Sequence, residues 1–229
     1  MCRLPVVAAA TLICIVAAAA YPSAGSEEPA SNYAAGLGPE FEKLCVGIRN
    51  SFECARAIER KQLSGENRVA SRDGSTLALR VRSGAAVKLQ DNREPGVEGV
   101  SFSYLKSLPE IGFHLVHVQY YEGTAYLLIG MRSGNRQLIQ EVPIISPDRA
   151  RFATVSAAES YNPNGIQIWR LVAGQPKLEW SYAAEGWRPA EPSWLGSERL
   201  RIAKLAWGGE KLGTLTAAWA SGAWHLEEP

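Results

Sequence analysis

The feature that most constrains this chain is a recurring turn. A small residue followed by Gly stands at Ser83-Gly84, Ser133-Gly134, Ala173-Gly174 and Ser221-Gly222, so successive glycines are 50, 40 and 48 residues apart. Three residues before each Gly stands Val81, Met131, Leu171 or Trp219. Beyond it an apolar strand resumes, at Val87 and Leu89, Leu138 and Ile139, Leu178 and Trp180, and Trp224 and Leu226. One Gly turn between alternating runs makes a hairpin. Four in one register, at periods of this size, make a repeat.

Reading backward from each hairpin adds two strands. The third copy runs VPIIS, the turn Ser146 to Arg149, ARFATVSAA, the loop ESYNPNG, IQIWRL and PKLEWSY. The second runs VSFSYL, FHLVHVQYY, TAYLLIGM and RQLIQEV; the fourth runs PSWL, RLRIAKLAW, TLTAAW and AWHLEE. Each is a four-stranded meander, strands a to d, and the first copy lacks a clear strand a. These residues resemble the blades of secreted propeller proteins of the TolB-like and WD-repeat classes, where a Ser-Pro-Asp turn precedes an apolar strand. Here Arg149 stands where Gly is usual, and no Trp-Asp pair follows Ile168. The resemblance implies a mainly β, propeller-like fold over residues 69–227, with about four blades and the first incomplete; a β-sandwich of meanders is the alternative. It also accounts for IQIWRL, apolar on both faces at Ile166 and Ile168 and at Trp169 and Leu171, because a blade packed between two others buries both sides.

The first twenty residues carry one cation, Arg3, then an apolar run from Leu4 and the small residues Ala18 to Ala20. They read as a secretory signal peptide, residues 1–20, followed by a flexible linker over 21–38. Without that leader, the 24 Lys and Arg less Arg3 balance the 23 Asp and Glu. A net charge near zero and the lack of any cationic run argue against nucleic acid or anionic lipid as a partner, and an apolar run short for a span, with no Lys or Arg cluster after it, argues against stable membrane insertion after cleavage. The expected location is periplasmic or secreted.

Two cysteines then remain, Cys45 and Cys54, in an oxidising compartment, and should form one disulfide. A single unbroken helix would hold them about 13.5 Å apart along its axis, too far to bridge. Gly47 and Asn50-Ser51 supply a break, with Ser51 as N-cap of the second helix and Glu53 in its first turn. The segment 39–64 is therefore two short helices stapled at a corner. The stretch SFECARA, residues 51–57, resembles the Ser-Phe-x-Cys-Ala-x-Ala motif of bacterial periplasmic lysozyme-inhibitor-type proteins, whose further cysteines have no counterpart here.

The sequence carries no motif that identifies a reaction. His114 and His117 are three apart on a strand, so they face opposite ways and cannot share a metal. Ser103 and Lys106 echo a Ser-x-x-Lys element, but strand alternation would place them on opposite faces as well. No nucleophile elbow, phosphate loop or calcium loop is present. No cofactor, no metal and no enzymatic activity are expected. Meander geometry puts the a–b and c–d turns at one end of every sheet, so the b–c loops and inter-sheet links gather at the other. That end would collect Tyr120, Tyr121, Tyr161, Asn162, Asn164, Trp187, Arg188 and Trp194. The last three sit in AEGWRPAEPSWLG, read as an exposed linker because Pro189 and Pro192 resist regular structure. The expected function is a binding module for a protein or glycan of the cell envelope. An inhibitor of a lysozyme-like hydrolase and a cell-wall hydrolase built on loop carboxylates are the alternatives.

Overall fold

A computed structural model describes residues 36–65, 69–92, 94, 99–158 and 163–228. The leader, most of the linker, Tyr161 and Asn162 lie outside the described residues. The chain begins with two helices, α1 (Pro39–Cys45) and α2 (Ser51–Leu63). They are separated by Gly47 at φ 78°. Asn50 rather than Ser51 caps α2, its side chain accepting the Glu53 N–H at 2.8 Å. The break lets Cys45 and Cys54 form their disulfide, with Cα atoms 5.0 Å apart and both residues buried. No helix among the described residues is long and apolar enough to cross a membrane.

Four antiparallel sheets follow in chain order. Sheet 1 has three strands, β1 (Ala70–Asp73), β2 (Thr76–Arg80) and β3 (Ala86–Gln90). Sheet 2 has β4 (Val100–Leu108), β5 (Phe113–Tyr120), β6 (Thr124–Gly130) and β7 (Arg136–Ile139). Sheet 3 has β8 (Ile144–Ile145), β9 (Arg151–Ser156), β10 (Gly165–Val172) and β11 (Gln175–Ala183). Sheet 4 has β12 (Arg188–Trp194), β13 (Arg199–Leu205), β14 (Lys211–Ala220) and β15 (Ala223–Glu227). Each is a meander paired only with sequence neighbours, and among the described residues sheet 1 has no strand a, as the repeat implies.

The apolar residues divide by strand parity into three clusters, each joining consecutive sheets. Leu77, Leu79 and Leu89 meet Val116, Val118 and Ile129 between sheets 1 and 2. Phe113, Leu115, Tyr126 and Leu128, from the other face of sheet 2, meet Phe152 and Trp169 of sheet 3, along with Phe41, Cys54 and Ile58 of the helices. Ile166 and Ile168 then meet Leu200, Ile202, Leu215 and Ala217 of sheet 4. Sheets 2 and 3 are thus buried on both faces, which is why IQIWRL carries apolar residues on both. There are four layers, not the two of a sandwich.

All four Gly turns lie at the end shared by the a–b turns. The Met131 N–H donates to Gly112 O at 2.9 Å, that of Leu171 to Ala150 O at 2.9 Å, and that of Trp219 to Glu198 O at 2.8 Å. Neighbouring c–d turns also touch, because Arg82 N–H donates to Met131 O at 2.8 Å. Two of these turns need their glycine for different reasons. In Ala173-Gly174 both residues are left-handed, φ 50° and 74°, as a tight two-residue hairpin requires. Gly134 is also left-handed, and a Cβ there would lie 2.7 Å from Val87 Cγ2 of sheet 1.

AEGWRPAEPSWLG is not a linker. Arg188–Trp194 is strand β12, paired with β13. Pro189 and Pro192 fit because β12 is an edge strand, and because a bulge between Ala190 and Ser193, with Glu191 at φ 47°, absorbs the second proline. Trp187 consequently points into the third cluster and is 7% exposed, which corrects the expectation of a solvent-facing side chain.

Candidate functional site

Strand β4 departs from simple alternation. Tyr104 pairs with Val116 and Lys106 with Leu115, so Leu105 is an extra residue, a bulge. One added residue reverses the parity of everything after it. Tyr104 and Ser107, three apart, therefore share the face turned to sheet 1, where Ser107 lies directly opposite His114. By the same shift Ser103 and Lys106 share the opposite face, which corrects the alternation argument. They are not joined there, since Lys106 Nζ donates to Leu37 O at 2.8 Å.

The bulge assembles a hydrogen-bonded chain. Ser107 Oγ lies 2.9 Å from His114 Nδ1, and Tyr104 Oη lies 2.8 Å from Ser107 Oγ. The Arg80 backbone beside His114 favours the protonated ring, and since the Arg80 N–H is already donated to Val69 O, its carbonyl is the group left to face the imidazole. With the ring proton on Nε2, Nδ1 accepts the Ser107 hydroxyl and Ser107 in turn accepts that of Tyr104. Burial pushes His114 below its usual pKa and outweighs the Arg80 bond, which favours the protonated ring. Burial raises Tyr104 against its bond to Ser107, which lowers it, so the phenol keeps its proton.

This chain forms part of the wall of a cavity of about 410 Å³ between sheets 1 and 2, at the Gly-turn end. Val69, Val81 and Met131 give the cavity apolar walls and Arg82 brings a cation to it; Arg80 lines it from the strand but alternates with Leu77 and Leu79 onto the outer face. The Ser107 hydroxyl is half-buried, His114 is 3% exposed, and the arginines are exposed. No group of His, Cys, Asp and Glu among the described residues is arranged to hold a metal ion.

His117 faces away from this cavity, towards Tyr126 and the helix side. Burial, together with the charge of Arg56, pushes it down to about 3 from an ordinary 6.5. The unfolded chain binds this proton below about pH 6.5 and the folded chain does not, so acid removes stability across that window. Between about pH 6 and pH 4 the wild-type protein should lose roughly 1.4 kcal/mol more per pH unit than His117→Leu. Urea unfolding across that range measures the difference in slope.

Among the described residues expected at the b–c end, Asn164 and Trp187 are brought together, whereas Trp194 lies beside the a–b turn at the other end. Tyr120 packs partly against the first cluster, whereas Tyr121, in the b–c turn of sheet 2, is 66% exposed. Asn164 Nδ2 donates to Ala184 O at 2.7 Å and to Trp187 O at 2.8 Å, tying the link to the sheet. Trp194 Nε1 donates to Ile144 O at 2.9 Å and its ring packs on the third cluster. Arg188 is half-buried at the start of β12. Trp207, in the b–c turn of sheet 4, is 40% exposed and had no place in the sequence reading of this end.

A second polar cluster is structural. Arg151 bonds Glu179 at 2.6 Å beneath the rings of Trp219 and Trp224, and Trp224 Nε1 donates to the same carboxylate at 3.0 Å. Burial raises the Glu179 pKa, but the hydrogen bonds from Arg151 and Trp224 and the charges of Arg151 and Arg170 together hold it below the usual value.

Sequence reasoning passed over Ser107. The signal available was the PEIG turn: closing that hairpin on Leu108 and Phe113 places Ser107 opposite His114 with no knowledge of the bulge. No family model matches the chain, and no curated protein matches it either.

Proposed function

We propose that this protein is a recognition module of the periplasm or the secreted space, whose sheets act as propeller-like blades presenting loops to a protein or glycan of the cell envelope. The observation that carries this reading is the pair of exposed aromatic side chains in b–c turns, Tyr121 and Trp207, accompanied by Leu212 at the start of β14, which is 53% exposed. Loops on a rigid scaffold are where binding residues concentrate, and aromatic side chains dominate the energetics of interfaces. The buried Cys45–Cys54 disulfide supports an oxidising compartment.

The test is paired. Tyr121→Ala combined with Trp207→Ala should leave thermal unfolding unchanged to within about 0.5 kcal/mol, as surface substitutions do. Recovery of the partner cross-linked in the native envelope should fall by roughly tenfold or more, the weight of a hot-spot aromatic. Undiminished recovery by the folded double variant would place the recognition surface elsewhere. In SFECARA, Cys54 and Ala55 are fully buried by packing; a lysozyme titration with the intact protein separates an inhibitor from other binders.

A further inference from the structure

We propose that Ser107 is an acyl-accepting nucleophile, with His114 as its general base, for short-chain carboxylic esters that enter the cavity between sheets 1 and 2. The inference goes beyond recognition and concerns the opposite end of the sheets from Tyr121 and Trp207. It departs from the sequence expectation of no reaction, which rested on the absence of linear motifs.

Three features of the geometry point to this chemistry. The first is the set of roles: a serine hydroxyl 2.9 Å from an imidazole nitrogen, with the serine held by a third group, the Tyr104 hydroxyl at 2.8 Å, and the Arg80 backbone beside the imidazole. That is the arrangement an activated nucleophile needs, on any fold. The second is polarity: with the ring proton on Nε2, as the proposal assigns it, Ser107 gives its own proton to Nδ1 and receives one from Tyr104, so its oxygen presents its remaining lone pair with the proton already directed at the base. An anion-binding serine would instead keep its proton for the ligand. The third is the surroundings. Val69, Val81 and Met131 suit a short acyl chain, and Arg82 brings positive charge to the same cavity, where it opposes the charge of a tetrahedral oxyanion. The bulge at Leu105 is the device that turns Tyr104 onto the face of Ser107, as bulges re-aim side chains beside reactive sites.

The step balances with water as co-reactant. Ser107 Oγ bonds to the ester carbonyl carbon as its proton passes to His114 Nδ1. The tetrahedral oxyanion collapses, the carbon–oxygen bond to the alcohol breaks, and His114 returns the proton to the departing alkoxide. Water then attacks the acyl-serine with His114 again taking the proton, releasing the acid and restoring the Ser107 hydroxyl.

The experiment treats the purified full chain at neutral pH with a small alkyl fluorophosphonate, in which Oγ–P bond formation expels fluoride, and locates the adduct by peptide mass spectrometry. The proposal expects one adduct on Ser107, none in Ser107→Ala, and labelling slowed by about 100-fold or more in His114→Gln, the usual weight of a general base. Ser103→Ala, at a buried serine on the other face, should label as the wild type does. Hydrolysis of 4-nitrophenyl acetate should follow the same order. Because removing either side chain disturbs a buried chain, Ser107→Cys serves as a second variant: alkylation of its thiol by iodoacetamide should be faster with His114 present than in the His114→Gln background. An unlabelled Ser107 in the folded wild-type protein, or labelling at the wild-type rate in folded His114→Gln, would overturn the proposal and leave a Tyr–Ser–His chain that only satisfies its own buried groups.

Discussion

Arg72→Met should destabilise the protein by about 3–5 kcal/mol, the cost of removing one partner from a buried ion network. Arg72 reaches across the gap left by the missing strand a of sheet 1. Its guanidinium bonds Glu59 of α2 at 2.9 Å, Asp91 at 3.1 Å and the carbonyl of Phe102. Glu59 and Asp91 are 2% and 5% exposed. Glu59 Oε2, which also takes that Arg72 bond, accepts the Tyr104 N–H at 2.8 Å, and Asp91 Oδ1 accepts the Phe102 N–H at 2.9 Å, both along the open edge of β4. Without Arg72, only Arg56 would face two buried carboxylates. Each would keep its desolvation cost with less compensation. Equilibrium unfolding in urea at neutral pH measures the loss. A companion variant, Arg72→Met with Glu59→Gln and Asp91→Asn, should recover part of it by removing the unbalanced charge. If Arg72→Met alone stays within about 1 kcal/mol of the wild type, the network carries no more than an exposed pair does.

The second large effect concerns Trp187. Trp187→Ala should cost about 3–5 kcal/mol, the range for truncating a buried aromatic. Its ring lies in the cluster between sheets 3 and 4, beside Tyr182 and under Lys204 Nζ. Its carbonyl also holds the Asn164 amide. The triple replacement of Trp187, Arg188 and Trp194 by Ala should therefore lose more stability still, and any loss of partner capture by it would follow from unfolding. Thermal and urea unfolding of the single and triple variants check both statements. A stable triple variant would show that this part of the cluster repacks.

The comparison of Trp187 with Trp169 shows what was legible in the sequence and what was not. Trp169 lies in an alternating run beside a Gly turn, so its place on a buried blade face followed from period and register. Trp187 precedes two prolines, and the strand they belong to is recognisable only once β12 is known to be an edge with a bulge, a tertiary fact. The Gly turns, the meanders and the incomplete first sheet were legible because each is set by local φ requirements and nearest-neighbour pairing. The disulfide was legible because helix rise forbids it unless the helix breaks. The Ser107 and His114 pair was within reach of the PEIG hairpin, but the place of Tyr104 beside it was hidden because one extra residue, Leu105, shifts the parity on which any strand reading depends, and nothing in VSFSYLKS marks it. The Arg72 network was hidden for a different reason: its members come from α2, β1 and the segment after β3, and long-range charge pairing leaves no periodic trace.

The three apolar clusters join sheet 1 to 2, 2 to 3 and 3 to 4, and none among the described residues joins sheet 4 back to sheet 1. The outer faces of the two terminal sheets carry exposed polar residues instead, Ser71, Arg80 and Lys88 at one end and Arg201, His225 and Glu227 at the other. Cohesion in such an array is a sum of nearest-neighbour couplings rather than a property of one shared interior. Sheets 1 and 4 each hold on through a single interface and sheets 2 and 3 through two, so fraying from the ends is the least costly departure from the native state. The ester-sized cavity lies at the first of these joints and the Arg72 network spans the same one, so local opening there would disperse the Ser107 chain while the far half of the array remained folded.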